Sequence, residues 1–230
     1  MFPTINIGGL SFPTAGLVIL IGTWLCLTLV ERTADRIGHA RELILGAAAT
    51  GVFNGVIGAR MQFVPLNTGY NAWGGLLLGL AGAFFYARVK RLAAQPTLDA
   101  LAPGIVLGLM VVSLADFLGG PGFGSLTAVP WGVTQFGVRR HPVQLYELLV
   151  GGLALLAWWR ASRPAVCVVG RPFLLTTAVY SAGRLFVDAF RDNAPVIGDG
   201  YHVWQIVSLL ILLAALFQIG RAVKNVPDSH

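Results

Sequence analysis

Residues 203–220 read VWQIVSLLILLAALFQIG, an apolar run of 18 residues without a charged side chain. About 20 apolar residues in a helix are enough to cross the hydrocarbon core of a bilayer. The whole chain fits that environment, since 56% of its 230 residues are hydrophobic and only 11% are charged. Soluble domains carry about 25% charged residues, so this composition excludes a water-soluble globule. We therefore expect an integral membrane protein.

Seven predominantly apolar runs, some of which include ionisable residues, are found along the chain. They cover residues 10–30, 44–64, 72–87, 101–118, 143–159, 173–190 and 203–220. They are too long for the alternating strands of an outer-membrane barrel, and the 29 glycines lack the period of collagen. The sequence predicts an all-α, polytopic membrane protein in which residues 1–230 form a single domain with seven transmembrane helices.

The basic residues predict the orientation of these helices. Eleven of the 16 Lys and Arg residues follow the first, third, fifth and seventh runs, and only three lie in the opposite loops. Lys and Arg in short loops stay on the cytoplasmic side, so we expect the N-terminus outside and the C-terminus in the cytoplasm. The net charge of +6 is explained by this distribution, and binding of nucleic acid is not expected.

The sixth run contains ionisable residues at helical spacing. Tyr180, Arg184, Asp188 and Arg191 are separated by four, four and three residues, which predicts one shared helix face. An ionisable group inside a membrane costs a few kcal/mol or more and is a functional candidate by default. One interpretation is a structural Arg184–Asp188 ion pair that neutralises itself. The other is that the guanidinium binds a lipid phosphate.

Further polar residues are expected at the same, outer depth of the membrane. The fifth run is preceded by Arg139 and Arg140, whose charge would attract phosphate to the N-terminal end of a helix. His141 is either a general base or a loop residue, and Glu147 is expected to pair with an arginine. The other candidates at this depth are Gln144, Arg60 at the end of the second run, and Asp116 before a glycine-rich loop.

Retinal, metal and disulfide chemistry have no support in the sequence. The only lysines, Lys90 and Lys224, are both expected in the cytoplasm, so no amine is available for a Schiff base in the membrane. Cys26 and Cys167 lack a partner at metal-ligand or redox spacing. No cofactor is therefore expected.

Three segments together resemble the prolipoprotein diacylglyceryl transferase family. Residues 140–147, RHPVQLYE, are similar to that family's RHPSQLYE motif. Residues 180–184, YSAGR, followed by 188–191, DAFR, resemble its YGAFR and EFFR segments, and residues 58–60, GAR, resemble its GGR. The matches occur in the family's order and cover nearly the whole chain.

The resemblance implies a seven-helix enzyme of the bacterial inner membrane. Such an enzyme moves the diacylglyceryl unit of phosphatidylglycerol onto the lipobox cysteine of a prolipoprotein signal peptide. By this resemblance Arg184 holds the phosphate, Tyr180 supports it, and His141 is a candidate base. The residues expected to bind the phospholipid are Arg60, Asp116, Arg140, Gln144, Tyr146, Glu147, Asp188 and Arg191.

The sequence also departs from the family at several positions, among them Ala15, Asp116 and Pro121, and two of the departures affect residues that the family uses for catalysis. Trp73 replaces the histidine before the Gly-Gly pair, and Ser113 replaces a second arginine. These changes leave two alternatives to an ordinary transferase open. One is a catalytically silent relative that binds phospholipid or a lipoprotein, and the other is a transferase with a different donor or acceptor.

Overall fold

Seven α-helices account for most of the described structure. The computed structural model describes residues 4–7, 9–60, 72–120, 122–135, 137–164, 167–192, 196–197 and 201–224. Within these residues the helices are α1 (Thr14–Ile37), α2 (Arg41–Arg60), α3 (Ala72–Val89), α4 (Ala94–Gly119), α5 (Val143–Ala161), α6 (Arg171–Val187) and α7 (Val203–Lys224). Each predicted apolar run overlaps one of them, so the prediction of a mainly helical protein is confirmed.

Short β-hairpins, which the sequence did not predict, accompany the helices. In the described residues, β1 (Thr4–Ile7) pairs with β2 (Leu10–Pro13), β3 (Val133–Gln135) with β4 (Val138–Arg140), and β5 (Val196–Ile197) with β6 (Tyr201–His202), all antiparallel. The first apolar run starts at Leu10, but α1 begins only at Thr14, because Leu10–Pro13 is a strand. A proline disfavours helical geometry at the residue before it, which keeps Phe12 extended.

Five helical segments of the described residues are long and apolar enough to cross a membrane. They are Thr14–Ile37, Arg41–Ala59, Ala94–Gly119, Arg171–Phe190 and Val203–Ala222. Large apolar side chains point away from the protein on these segments, as with Leu20, Trp24 and Phe217. An extensive apolar surface of this kind is expected where lipid replaces water as the solvent.

The chain divides into two compact units, of which one is Leu27–Gly104. In this unit glycines bring α2 and α3 into close contact. A Cβ added at Gly75 would lie 3.1 Å from the carbonyl oxygen of Gly55, and one at Gly79 would lie 3.0 Å from that of Gly51. Small residues at every fourth position let two helix backbones approach in this way.

The other unit consists of Met1–Cys26 and Ile105–His230. In it α6 packs between α5 and α7. Gly183 of α6 faces Val150 of α5 so closely that an added Cβ would overlap the valine side chain. On the α7 side, Gln205 Nε2 donates a hydrogen bond to the carbonyl oxygen of Leu185 at 3.3 Å.

A segment of residues 123–127, called here the linking segment, joins the start of α5 to the end of α6. The Ser125 N–H donates to the Phe190 carbonyl oxygen at 2.8 Å. The Ser125 carbonyl oxygen in turn accepts from the N–H of His141 at 2.9 Å. These two hydrogen bonds therefore hold the linking segment between the turn that follows α6 and the residues that precede α5.

Candidate functional site

The end of α6 places two arginines around one aspartate. The α-helix ends at Val187 and continues as a single 3₁₀ turn, Asp188–Phe190. Arg184 Nη2 lies 2.9 Å from Asp188 Oδ1, and Arg191 Nε lies 3.5 Å from the same oxygen. Asp188 is fully buried. The predicted pairing of Arg184 with Asp188 is confirmed, and Arg191 joins the pair from beyond the helix end.

Glu147 of α5 is the second carboxylate of this group. Its Oε1 accepts hydrogen bonds from Arg184 Nη1 and from Arg191 Nη2. The side chain is buried, with 4% of its surface exposed. The prediction that Glu147 pairs with an arginine is confirmed twice over. The two guanidinium charges are therefore balanced by two buried carboxylates, which is the condition under which buried charges are stable.

Ser113 of α4 completes the group. Its Oγ donates a hydrogen bond to Glu147 Oε2 at 2.6 Å and lies 3.1 Å from the Leu109 carbonyl oxygen of its own helix. A hydroxyl has one proton, and the shorter contact to a charged acceptor is the stronger bond. We call Ser113, Glu147, Arg184, Asp188 and Arg191 the Arg184 cluster. Sequence reasoning identified Ser113 only as a missing arginine, not as a partner of Glu147.

Gly122 closes one side of the cluster. Its φ is +75°, and a Cβ added there would lie 3.0 Å from Arg191 Nη1 and 3.5 Å from Asp116 Oδ2. Glycine adopts this left-handed conformation without steric cost and leaves room for the backbone to approach the guanidinium. Asp116, a predicted lipid-binding residue, is thereby placed next to the Arg191 end of the cluster.

Arg140 is engaged with the linking segment. Its Nη1 donates to the Gly124 carbonyl oxygen at 3.0 Å and to Asp192 Oδ2 at 2.7 Å. The guanidinium also lies over the Phe123 ring, 4.5 Å from its centroid. These contacts fix the linking segment against the chain that follows α6. Asp192, the counter-ion of Arg140, was not identified from the sequence.

His141 and Tyr146 belong to an aromatic group at the start of α5. His141 Nδ1 lies 3.2 Å from Tyr146 Oη, which also accepts a hydrogen bond from Trp131 Nε1 at 2.8 Å. The Phe190 ring packs on His141 with 4.9 Å between centroids. Sequence reasoning did not identify Trp131, because neither the length of the loop nor its turn geometry could be derived from composition.

The remaining predicted residues lie near the cluster or outside the described side chains. Gln144 is fully buried on α5, three residues before Glu147, and Tyr180 is partly buried on α6, one turn before Arg184. Arg60 is the last residue of α2, and its side chain lies outside the described residues. The side chain of Trp73 also lies outside them.

Comparison with known proteins places the chain in a family. The family model described as prolipoprotein diacylglyceryl transferase matches residues 3–220. Relatives named phosphatidylglycerol–prolipoprotein diacylglyceryl transferase include those of Geobacter sulfurreducens, 29% identical over 92% of this chain and 91% of the relative, and Corynebacterium glutamicum, 32% identical over 86% and 74%. The Nocardia farcinica relative is 27% identical over 96% of this chain, which spans about half of that longer protein, 53% of its length. The chain belongs to the prolipoprotein diacylglyceryl transferase family.

Proposed function

We propose that this chain is a transferase of the bacterial inner membrane that moves the diacylglyceryl group of phosphatidylglycerol onto the lipobox cysteine thiol of a prolipoprotein. The family match and the names of the relatives support this activity and both substrates. The five apolar helical segments support a multi-pass membrane location.

The reaction requires positive charge near the phosphate. A C–S bond forms between the cysteine sulfur and the glycerol carbon, while the C–O bond to phosphate breaks and glycerol phosphate leaves with that electron pair. The thiol proton is lost to a base, because the thiolate is the nucleophile. Preorganised N–H donors aimed at the departing oxygen stabilise the charge that develops there.

The proposal depends most on the way in which the Arg184 guanidinium is held. Glu147 contacts its Nη1 and Asp188 its Nη2. A guanidinium has five N–H donors in a planar fork, so these contacts orient Arg184 and still leave donors for a third acceptor. The side chain is 20% exposed, which allows a lipid phosphate to reach it. We propose that Arg184 binds the departing phosphate and that Arg191 adds charge beside it.

The other roles rest on position and on the family resemblance. We propose that Tyr180 supports Arg184 from one turn earlier on α6, and that His141 accepts the thiol proton. The residues proposed to shape the headgroup site are Arg60, Asp116, Arg140, Gln144, Tyr146, Glu147 and Asp188. We also propose that residues 1–230 form one membrane domain with seven transmembrane helices, N-terminus outside and C-terminus cytoplasmic.

Replacement of Arg184 tests the transferase proposal. Purified protein is incubated with phosphatidylglycerol vesicles and a lipobox peptide, and the diacylglyceryl mass shift of the peptide is followed over time. We expect Arg184→Lys to lower the rate roughly 100- to 1,000-fold, as loss of one transition-state donor does elsewhere, because an ammonium lacks the two-pronged geometry.

Arg221→Lys is the matched control, because Arg221 lies on the exposed face of α7 with its guanidinium 5.8 Å from the centroid of the Phe217 ring. It should keep the wild-type rate. The transferase proposal is rejected if folded wild-type protein, shown to bind phosphatidylglycerol, gives no mass shift on lipobox peptides.

A further inference from the structure

Glu147 divides its two oxygens between different partners. Oε1 accepts from both arginines, while Oε2 accepts from Ser113 Oγ at 2.6 Å. Ser113 is on α4 and Glu147 on α5, and both side chains are buried. The hydroxyl therefore binds one carboxylate oxygen while the two guanidinium groups bind the other.

This division determines how Arg184 is held. A carboxylate with both oxygens available binds an arginine in the bidentate, fork-to-fork arrangement. The Ser113 hydrogen bond holds Oε2 toward α4, so Glu147 presents only Oε1 to Arg184, and that oxygen is shared with Arg191. Arg184 is thus fixed at Nη1 by Glu147 and at Nη2 by Asp188, without being chelated along one edge by Glu147.

We propose that Ser113 is a positioning residue for lipid transfer, which keeps Glu147 from chelating Arg184 and so leaves guanidinium donors for the phosphate of the donor lipid. This inference rests on the proposed function. It also gives Ser113 a role, although the family resemblance expects an arginine at this position. The Ser113 hydroxyl acts on Arg184 through Glu147. Without the hydroxyl, Oε2 would be buried with an unmet hydrogen-bonding requirement and would turn toward the arginines.

The test compares Ser113→Ala with Ser113→Thr, which retains the hydroxyl. Ser162→Ala is the matched control, because Ser162 is equally buried and its Oγ donates to a backbone carbonyl oxygen, that of Trp159, at 3.2 Å. Binding of phosphatidylglycerol is measured by native mass spectrometry of the detergent-solubilised protein, and transfer is measured with the lipobox peptide. The first readout requires no turnover.

We expect Ser113→Ala to weaken phosphatidylglycerol binding and to lower kcat/KM about tenfold, the size typical of a lost hydrogen bond to a charged group. Ser113→Thr and Ser162→Ala should remain within about twofold of the wild type. A positioning role also requires that Ser113→Ala have little further effect on binding in a Glu147→Gln background, where the carboxylate is already absent.

The inference is overturned if Ser113→Ala binds the lipid as well as Ser162→Ala does. It is also overturned if Ser113→Thr is impaired as much as Ser113→Ala, because the hydroxyl would then not be the group that matters. If the Ser113→Ala binding loss is found and the wild type transfers no lipid, the role of Ser113 in positioning Arg184 for phospholipid binding stands and the transferase proposal fails.

Discussion

Glu147 is the residue at which three helical segments meet, because it accepts hydrogen bonds from Ser113, Arg184 and Arg191. Together with Asp188, it gives the Arg184 cluster two negative charges against two positive ones. Breaking a buried ion pair on one side leaves an uncompensated charge, which typically costs about 3–5 kcal/mol. Removing one charge of each sign keeps the cluster neutral. Stability should therefore depend on the balance of charge more than on any single contact.

We predict that Asp188→Ala lowers thermal stability in detergent more than the double variant Arg184→Ala/Asp188→Ala. The single change leaves two arginines facing one carboxylate, whereas the double change leaves Arg191 paired with Glu147. Unfolding temperatures from a thermal scan give the comparison. The exposed pair of Arg41 with Glu31 provides the control, and Glu31→Ala should lower the unfolding temperature much less than Asp188→Ala does, because solvent screens an exposed pair. Equal losses in the single and double variants would show that Asp188 and Arg184 are not coupled.

The sequence could predict the part of this cluster that lies within one helix. Arg184 and Asp188 are four residues apart, and helical spacing alone brings them together. Helical spacing could not predict the partners of Glu147, because Ser113 is 34 residues away in the sequence and Arg184 is 37 residues away. Their contact depends on the rotation and depth of two other helices relative to α5, which no local pattern encodes.

At the scale of elements, the packing of α2 on α3 depends on residues that have no side chain. A Cβ added at Gly58 would overlap the backbone of Gly74, and its distance to Leu78 Cβ would be 2.8 Å. Helices in lipid associate through close van der Waals contact rather than through a hydrophobic driving force. A single methyl group at this interface therefore has to push two backbones apart.

We predict that Gly58→Ala lowers the unfolding temperature in detergent, with a cost of about 1–3 kcal/mol as for other overpacked interfaces. Gly152→Ala on α5 is the control, since an added Cβ there meets nothing within 4 Å. Alanine has the higher helix propensity, so Gly152→Ala should leave stability unchanged or raise it slightly. An unfolding temperature of Gly58→Ala equal to that of Gly152→Ala would mean that the α2–α3 contact does not limit stability.

The helices were predictable from sequence because length and hydropathy decide them, whereas the hairpins were not. Strand β2 lies in the same apolar run as α1, and Pro13 stands at the change from strand to helix. The hydrogen bonds of the linking segment could not be predicted either, because they join Ser125 to Phe190 and to His141, which lie in other segments of the chain. Such pairings between distant loops depend on the helix arrangement that brings them together. A sequence pattern of one loop cannot show its partner.

At the scale of the whole molecule, the uneven distribution of basic residues predicts how the protein is oriented in the membrane. Cys167 follows α5, and the basic residues Arg160 in the last turn of α5 and Arg163 directly after it place this end on the proposed cytoplasmic side. Residues 120–142 join α4 to α5 and are proposed to face the opposite compartment. The two connections should therefore differ in their access to a reagent that cannot cross lipid.

Single exposed cysteines can test this orientation with one reagent. Ala128 is exposed in the connection before α5, and native Cys167 is exposed in the connection after it. We predict that an impermeant maleimide added to intact spheroplasts labels Ala128→Cys in a Cys26→Ser/Cys167→Ser background, and labels native Cys167 in a Cys26→Ser background only after permeabilisation. The opposite pattern would reverse the proposed orientation. Equal labelling of both sites before permeabilisation would place them on one side, and α5 could not then cross the membrane as a single span.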